Sequence, residues 1–286
     1  MRVLVEDRME AGAVAVVALR DTPRAFDGVA ATYDRSNAEN ALLCAMRDRT
    51  RAALERAIPT GGGHLLDLGC GPGTDVVYFA AKGYRVTAID WSAAMVDEAR
   101  RVVKRAGLLD RVRVFHLGID QLDTLSDTVV DPFDAAYSSF GPFNCVADLA
   151  RSARAIAGRV RAGGFLVASV IGRACPWEFA LYTLRGDIGR AAIRFARRPV
   201  AVPLEGRTVW TQYYTPSAVL RLFEKVGFER VSSRALGLFT PPPYLNGFAG
   251  RHPSLIAGLQ RIEDVAGGWP GVRALGDHFL IVMRRA

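Results

Sequence analysis

The chain has 286 residues, half of them apolar, with 37 basic against 29 acidic side chains and a formal net charge of +8. That length and composition suit a large α/β domain with additions, and nothing in them reads as disordered bulk. Only Lys82, Lys104 and Lys225 are lysines, and the basic residues are scattered among acids, so the charge points to arginine-rich coding bias rather than to a nucleic-acid surface.

Cys44, Cys70, Cys145 and Cys175 stand far apart without a C-x-x-C pair, which suggests neither a zinc site nor a disulfide framework and fits a reducing cytoplasm. The mixed-charge start (Arg2, Glu6, Asp7, Arg8, Glu10) is unlike a signal peptide, and the apolar run 11–19 is too short to span a bilayer. A soluble cytoplasmic protein is expected.

Residues 1–24 carry little pattern and read as an extension, either disordered or a mis-assigned start. A helix is predicted over 37–58, where Leu42, Leu43, Met46, Ala53, Leu54 and Ile58 follow helical spacing. Strands are predicted at 64–68, 85–90, 112–117, 133–138 and 164–170, with helices at 75–82, 92–105 and 146–160. Such alternation implies a parallel sheet covered on both faces. The first strand breaks into glycines spaced G-x-G-x-G at Gly69, Gly71 and Gly73, and the second ends on Asp90, 21 positions after Gly69. Glycines there allow positive φ and remove Cβ atoms, so backbone can lie against a ligand at the start of the next helix. A carboxylate at that separation meets the two hydroxyls of a ribose, so a nucleoside ligand is expected.

After the fifth strand comes a long connection, 171–207. Thr215 with Pro216 then starts a helix, followed by a strand over 228–236, a second long connection, 240–276, and a last strand over 277–283. Both connections far exceed ordinary loops and read as cap elements over a ligand. In the first, Trp177, Leu181, Leu184, Ile188, Ala191 and Phe195 recur at threes and fours with Arg190, Arg194 and Arg197 opposite, which predicts one amphipathic helix. Such a helix packs on the main domain, or contacts a membrane or lipid through 177–198.

The stretch 64–75, HLLDLGCGPGTD, resembles motif I of the class I S-adenosylmethionine-dependent methyltransferases, and Thr74 at the sixth position disfavours an NAD enzyme. The resemblance covers roughly 26–172 and resumes at 213–236 and 278–283. It implies a Rossmann-like doubly wound α/β fold: a mostly parallel seven-stranded sheet with an antiparallel last strand and helical cap insertions, all within 25–286. It implies S-adenosylmethionine as donor and S-adenosylhomocysteine as product. Asp67, Gly69, Cys70, Gly71 and Gly73 would surround the methionine part, with Asp90 and Trp91 at the ribose. Met95, Ile119 and Asp120 would meet the adenine, with Ser138 alongside; Met95 reads equally as core, and Asp120 as a helix cap. Tyr33 would act as a lid and, with Phe140, Asn144, Trp177, Tyr213, Tyr244 and His252, would bind the acceptor.

Methyl transfer from a sulfonium needs alignment, exclusion of water and, for some acceptors, removal of a proton. The motif IV segment FDAAYSSFGPFNCV lacks the paired prolines of nucleobase amino-methyltransferases, and no Pro-Cys pair is present, so DNA is not the expected substrate. The fifth strand ends in VIG without the Asp-Asn of metal-dependent catechol-type enzymes, and no metal is expected. Tyr214 and His278 are the candidate proton acceptors, with aromatic packing and a structural histidine as the alternatives. A small, partly apolar organic acceptor is expected from the aromatic and proline-rich additions. The alternatives are RNA or protein methylation, or donor binding without turnover.

Overall fold

A computed structural model describes residues 22–58, 62–125 and 131–286. Most of the expected extension, residues 1–21, lies outside them. Its end is helical: α1 (Thr22–Asp27) is followed by α2 (Ala30–Ala38) and α3 (Ala41–Ala57). The single helix expected over 37–58 is therefore interrupted. Asn40 is the cause, because its side-chain oxygen accepts the amides of Leu42 and Leu43 at 3.1 and 3.2 Å and starts α3 afresh.

Strand and helix then alternate through β1 (His64–Leu68), α4 (Thr74–Ala81), β2 (Arg85–Asp90), α5 (Ala93–Arg105) and β3 (Val112–His116). They continue through β4 (Phe133–Ser138), α6 (Leu149–Arg159) and β5 (Val160–Ile171). The first insertion holds α7 (Pro176–Leu184), α8 (Ile188–Ala192) and the strand β6 (Val200–Leu204), which pairs with β7 (Arg207–Thr211). After α9 (Pro216–Glu224) and β8 (Phe228–Leu236), the second insertion holds α10 (Asn246–Arg251) and α11 (Pro253–Ala266), and β9 (His278–Arg285) ends the chain.

Seven strands form one sheet in the order β3-β2-β1-β4-β5-β9-β8, with β9 antiparallel to both neighbours. Side chains alternate across each strand. Leu66, Leu166, Ile281 and Met283 accordingly enter one core with Ile156 and Phe223, while Leu65, Val167, Leu280 and Val282 enter the other with Leu54, Phe79 and Tyr84. Each fully buried side chain of this kind contributes about 1.5–3 kcal/mol before entropy is counted. The parallel strands end at one edge, and the strand order reverses between β1 and β4. A crevice forms at that point in open α/β sheets.

The insertions differ from the expected pattern. Gly186, at φ +74°, ends α7, and Asp187 caps α8, so the first insertion is a helical hairpin followed by a β-hairpin rather than one helix. Arg194 thereby leaves the polar face; it is buried, donating to the carboxylates of Glu178 and Asp277 and to the carbonyls of Gly172 and Asp277. The second insertion packs on α3. Asn40 Nδ2 donates to the Pro243 carbonyl at 2.9 Å, Arg49 pairs with Asp264 at 2.8 Å, and buried Glu263 accepts the amides of Gly237, Leu238 and Phe239. Among the described residues no helix is long and apolar enough to cross a membrane.

Candidate active site

A cavity of about 760 Å3 opens where β1, β2 and β4 end. Its floor is the turn after β1, where Gly69, Gly71 and Gly73 have φ of +79°, +53° and +92°. The amides of Gly69 and Cys70 donate to the Ile89 carbonyl at 2.9 and 3.0 Å, which pins the turn to β2. A Cβ on Gly69 would lie 2.5 Å from the Pro142 ring, whereas one on Gly71 would meet open space. Backbone is therefore bare on the cavity side, and the Gly71 amide is held by Asp90 Oδ2 at 2.9 Å.

Asp67, Asp75 and Asp90 share this wall. Asp75 is taken by Arg51, whose Nε donates to it at 2.6 Å. Asp90 accepts the Gly71 and Ser92 amides, one on each oxygen, and its burial outweighs them and pushes its pKa up to about 6. Asp67 is also buried, and its Oδ2 has no hydrogen-bond partner among the described residues. Burial, with Asp75 and Asp90 nearby, raises its carboxyl well above the usual range. An ammonium group there would satisfy the orphan oxygen and favour the ionised form. Arg47 of α3, on the same wall, would pair with a carboxylate. The wall thus fits the amino-acid and ribose ends of S-adenosylmethionine.

Trp91, Met95, Ile119 and Asp120 line the neighbouring stretch. Ser92 caps α5, accepting the Met95 amide at 3.1 Å and donating to Asp27 of α1 at 2.6 Å. The Gly118 amide is satisfied by Gln121 at 3.1 Å, which leaves Asp120 on the cavity wall. Beyond the donor end the lining turns apolar, with Pro23 and Phe26 of α1, Tyr33 of α2, and Val202, Pro203 and Leu204 of β6. Phe140 also lies there, at φ +61°, a left-handed conformation that costs an aromatic residue on the order of 1–3 kcal/mol. Its amide donates to Ser169 Oγ at 2.8 Å, and its ring packs between the Arg47 guanidinium (5.1 Å) and the His278 ring (5.9 Å).

Several sequence candidates stand elsewhere. Gly73 packs against Ala99 and Val102, and Ser138 Oγ donates to the Leu68 carbonyl at 3.0 Å, pinning β4 to β1. The Asn144 amide is consumed by backbone: Nδ2 donates to the Ile171 and Gln212 carbonyls, and Oδ1 accepts the Ile171 amide. Tyr214 packs against the core, and its burial pushes the phenol up to about 12. His278 turns Nδ1 to Asp277 Oδ2 at 2.9 Å, behind Phe140. Tyr213 lies under the Arg194 guanidinium (5.1 Å), and His252 packs on Phe248 (4.7 Å). Trp177 is half-buried on α7 and Tyr244 is exposed. None of these nine lines the cavity. No residue of 240–276 does either, so the second insertion braces α3 rather than capping the site.

Arg47 and Phe26 are not foreshadowed in the sequence, whereas the β6 wall falls in 171–207, expected there as a cap element, though not as a strand. The hairpin does carry a signal: alternating apolar residues flank a two-residue turn, Glu205-Gly206, with φ of +45° and +79°. Cys175, Glu178 and Asp277 place three ligand atoms within 4.8 Å of one another, but the Arg194 guanidinium donates to both carboxylates, so the cluster already holds a cation.

Residues 65–164 match the family model for a methyltransferase domain. Those residues carry a methyltransferase domain, in a sheet ordered as the resemblance to the class I S-adenosylmethionine-dependent methyltransferases implies. This methyltransferase domain resembles a demethylmenaquinone methyltransferase of Clavibacter sepedonicus, 40% identical over 123 residues, 42% of this chain and 46% of the relative. A S-adenosyl-L-methionine-dependent Diels-Alderase of Neonectria sp. (strain DH2) is 39% identical over 85 residues, 29% of this chain and 34% of that protein. The matches thus span less than half the length of either relative. The methyltransferase fold extends further. The 1,6-didemethyltoxoflavin-N1-methyltransferase of Burkholderia thailandensis, crystallised with 1,6-didemethyltoxoflavin and S-adenosylhomocysteine, gives a TM-score of 0.54 at 18% identity over 92% of this chain and 88% of that one.

Proposed function

We propose that the protein methylates a small, partly apolar organic molecule held between Phe26, Tyr33, Phe140 and the β6 wall. One observation supports this reading above the rest: a single cavity joins a wall suited to S-adenosylmethionine to an apolar wall with no place in donor binding. When bound, the donor offers a methyl carbon on a positively charged sulfur; an acceptor lone pair takes that carbon, and the C–S electrons return to sulfur, leaving a neutral thioether.

The chain's own part is to hold and to shield. Asp67 and Arg47 anchor the amino-acid end and Asp90 the ribose, which fixes the reacting atoms in line. Phe26, Phe140 and Leu204 keep water away from the transfer. Among the described residues no histidine or lysine lines the cavity. The arrangement therefore suits an acceptor that needs little help in losing a proton, such as an amine, or a hydroxyl or carbon acid already acidic in solution.

The test pairs calorimetry of S-adenosylhomocysteine with a screen of small aromatic and apolar acceptors using methyl-labelled donor. Label in a small product, and not in RNA or protein, is the expected result. Tight product binding with no transfer to any acceptor would oppose it, as would cycloaddition without consumption of donor.

A further inference from the structure

The geometry points to an anionic lipid surface as the partner of the helical hairpin α7–α8, which would hold the protein at a membrane without crossing it. The inner side of the hairpin is docked. Cys175, Ala191 and Arg194 are buried, and Arg194 ties the hairpin to the start of β9 through Asp277. Its outer side is left bare and apolar: Leu184 is 87% exposed, Ile188 61%, Phe195 52% and Phe179 48%. Leu184 and Ile188 flank the turn at Gly186 and so form the tip, while the Phe179 and Phe195 rings meet edge to face at 6.1 Å.

The charges around this apolar surface have one sign. Arg185, Arg197 and Arg198 are exposed and have no ion-pair partner among the described residues, and Arg190 pairs with Asp187 at 3.4 Å and lies over the Tyr182 ring at 5.8 Å. The acids of the hairpin are already engaged: Glu178 with Arg194, and Asp187 with Arg190 and the cap of α8. Exposed apolar side chains ringed by uncompensated arginines match a bilayer interface, where anionic headgroups take the arginines and the acyl boundary takes the tip. A second copy of the chain fits less well. An isologous contact would set this patch against itself and bring Arg185, Arg197 and Arg198 close to their own duplicates. The hairpin leads directly into β6, so docking would bring the apolar cavity wall to the lipid surface, where apolar acceptors dissolve.

Docking of the hairpin on lipid is independent of the reaction. It is tested by sedimenting the full chain with vesicles of phosphatidylcholine alone and with vesicles in which roughly a third of the lipid is phosphatidylglycerol. Sedimentation with the anionic vesicles is expected, weaker with phosphatidylcholine and falling as salt is raised. The triple variant Arg185→Gln, Arg197→Gln, Arg198→Gln should lose affinity for anionic vesicles roughly a hundredfold, about fivefold per arginine. Leu184→Ser with Ile188→Ser should weaken binding to both vesicle types. S-adenosylhomocysteine affinity, measured on the same preparations, should not change, which shows that each variant is folded. Equal binding to both vesicle types, no binding, or variants that bind like the parent would overturn the inference. So would a dimer that the Leu184→Ser, Ile188→Ser variant turns into monomer, because the hairpin would then be a contact between copies.

Discussion

Replacing Asp90 with asparagine probes the donor wall at its most committed residue. Each carboxylate oxygen of Asp90 already accepts one backbone amide at 2.9 Å, from Gly71 and from Ser92, which leaves one acceptor direction on each oxygen for a ribose hydroxyl. Asparagine retains one oxygen, and its amide nitrogen meets a backbone N–H donor to donor. Two hydrogen bonds to a charged group, at about 1.5 kcal/mol each, are lost or neutralised, so S-adenosylhomocysteine should bind roughly a hundredfold more weakly. Protonation gives a second reading of the same group. With the Asp90 pKa at about 6, product affinity below that value should fall about tenfold per pH unit more steeply in the parent than in the variant, in which the raised Asp67 carboxyl alone remains to titrate. Folded-state stability runs the other way. The raised carboxyl contributes stability that is complete below about pH 4 and is lost as pH rises through about 6, on the order of 3 kcal/mol in the ligand-free protein. Calorimetry and thermal melts between pH 4.5 and 8 (about the range spanning that pKa) measure both. Binding by the variant within threefold of the parent would refute the placement of the ribose.

Arg47→Gln should weaken S-adenosylhomocysteine by about 1.5–3 kcal/mol while leaving the melting temperature nearly unchanged, and an unaltered isotherm would remove Arg47 from the donor site. Gly69→Ala should destabilise the fold by at least 2 kcal/mol, since its Cβ falls 2.5 Å from Pro142 and its φ is +79°, and a parent-like denaturation midpoint would contradict the packing described. Arg194→Met should cost about 3–5 kcal/mol in urea unfolding, because Glu178 and Asp277 would be left as buried carboxylates without their cation. Leu204→Gln should raise the KM for an apolar acceptor several-fold with product affinity intact, and a change confined to product binding would place β6 at the donor end instead.

The donor half of the site is legible in the sequence because one short motif carries it. The glycines at 69, 71 and 73, with Asp67 ahead and Asp90 after the next strand, are local features whose backbone demands leave few other readings. The half proposed to hold the acceptor is assembled from segments distant in sequence, such as α1 and β6, joined by contacts like the Trp210 amide donating to Thr22 Oγ1 at 3.1 Å. Composition and periodicity do not register such pairings. Tyr214 and His278 do reach the correct edge of the sheet, but which way each side chain turns depends on partners, the core for one and Asp277 for the other. Arg194 reads as a surface residue only if the helix is continuous, and Gly186 breaks it.

The β6–β7 hairpin is fastened to the frame by main chain as well as by side chains, Arg207 Nη1 donating to the Arg24 carbonyl at 3.3 Å and Val209 packing with Ala25 and Cys145. The Gln212 amide donates to the Asn144 carbonyl at 2.7 Å, Asn144 Nδ2 returns a bond to the Gln212 carbonyl at 2.7 Å, and the Trp210 amide reaches Thr22. None of these main-chain bonds uses a side chain of the hairpin itself. Side chains of 199–211 other than Arg207 and Val209 can therefore change without breaking these main-chain bonds, and the glycine turn and Asp90 lie outside that segment. With β6 holding the acceptor, as proposed, donor recognition and acceptor preference would be heritable as separate traits, so that descendants of one ancestor could diverge in what they modify while keeping the same means of modifying it.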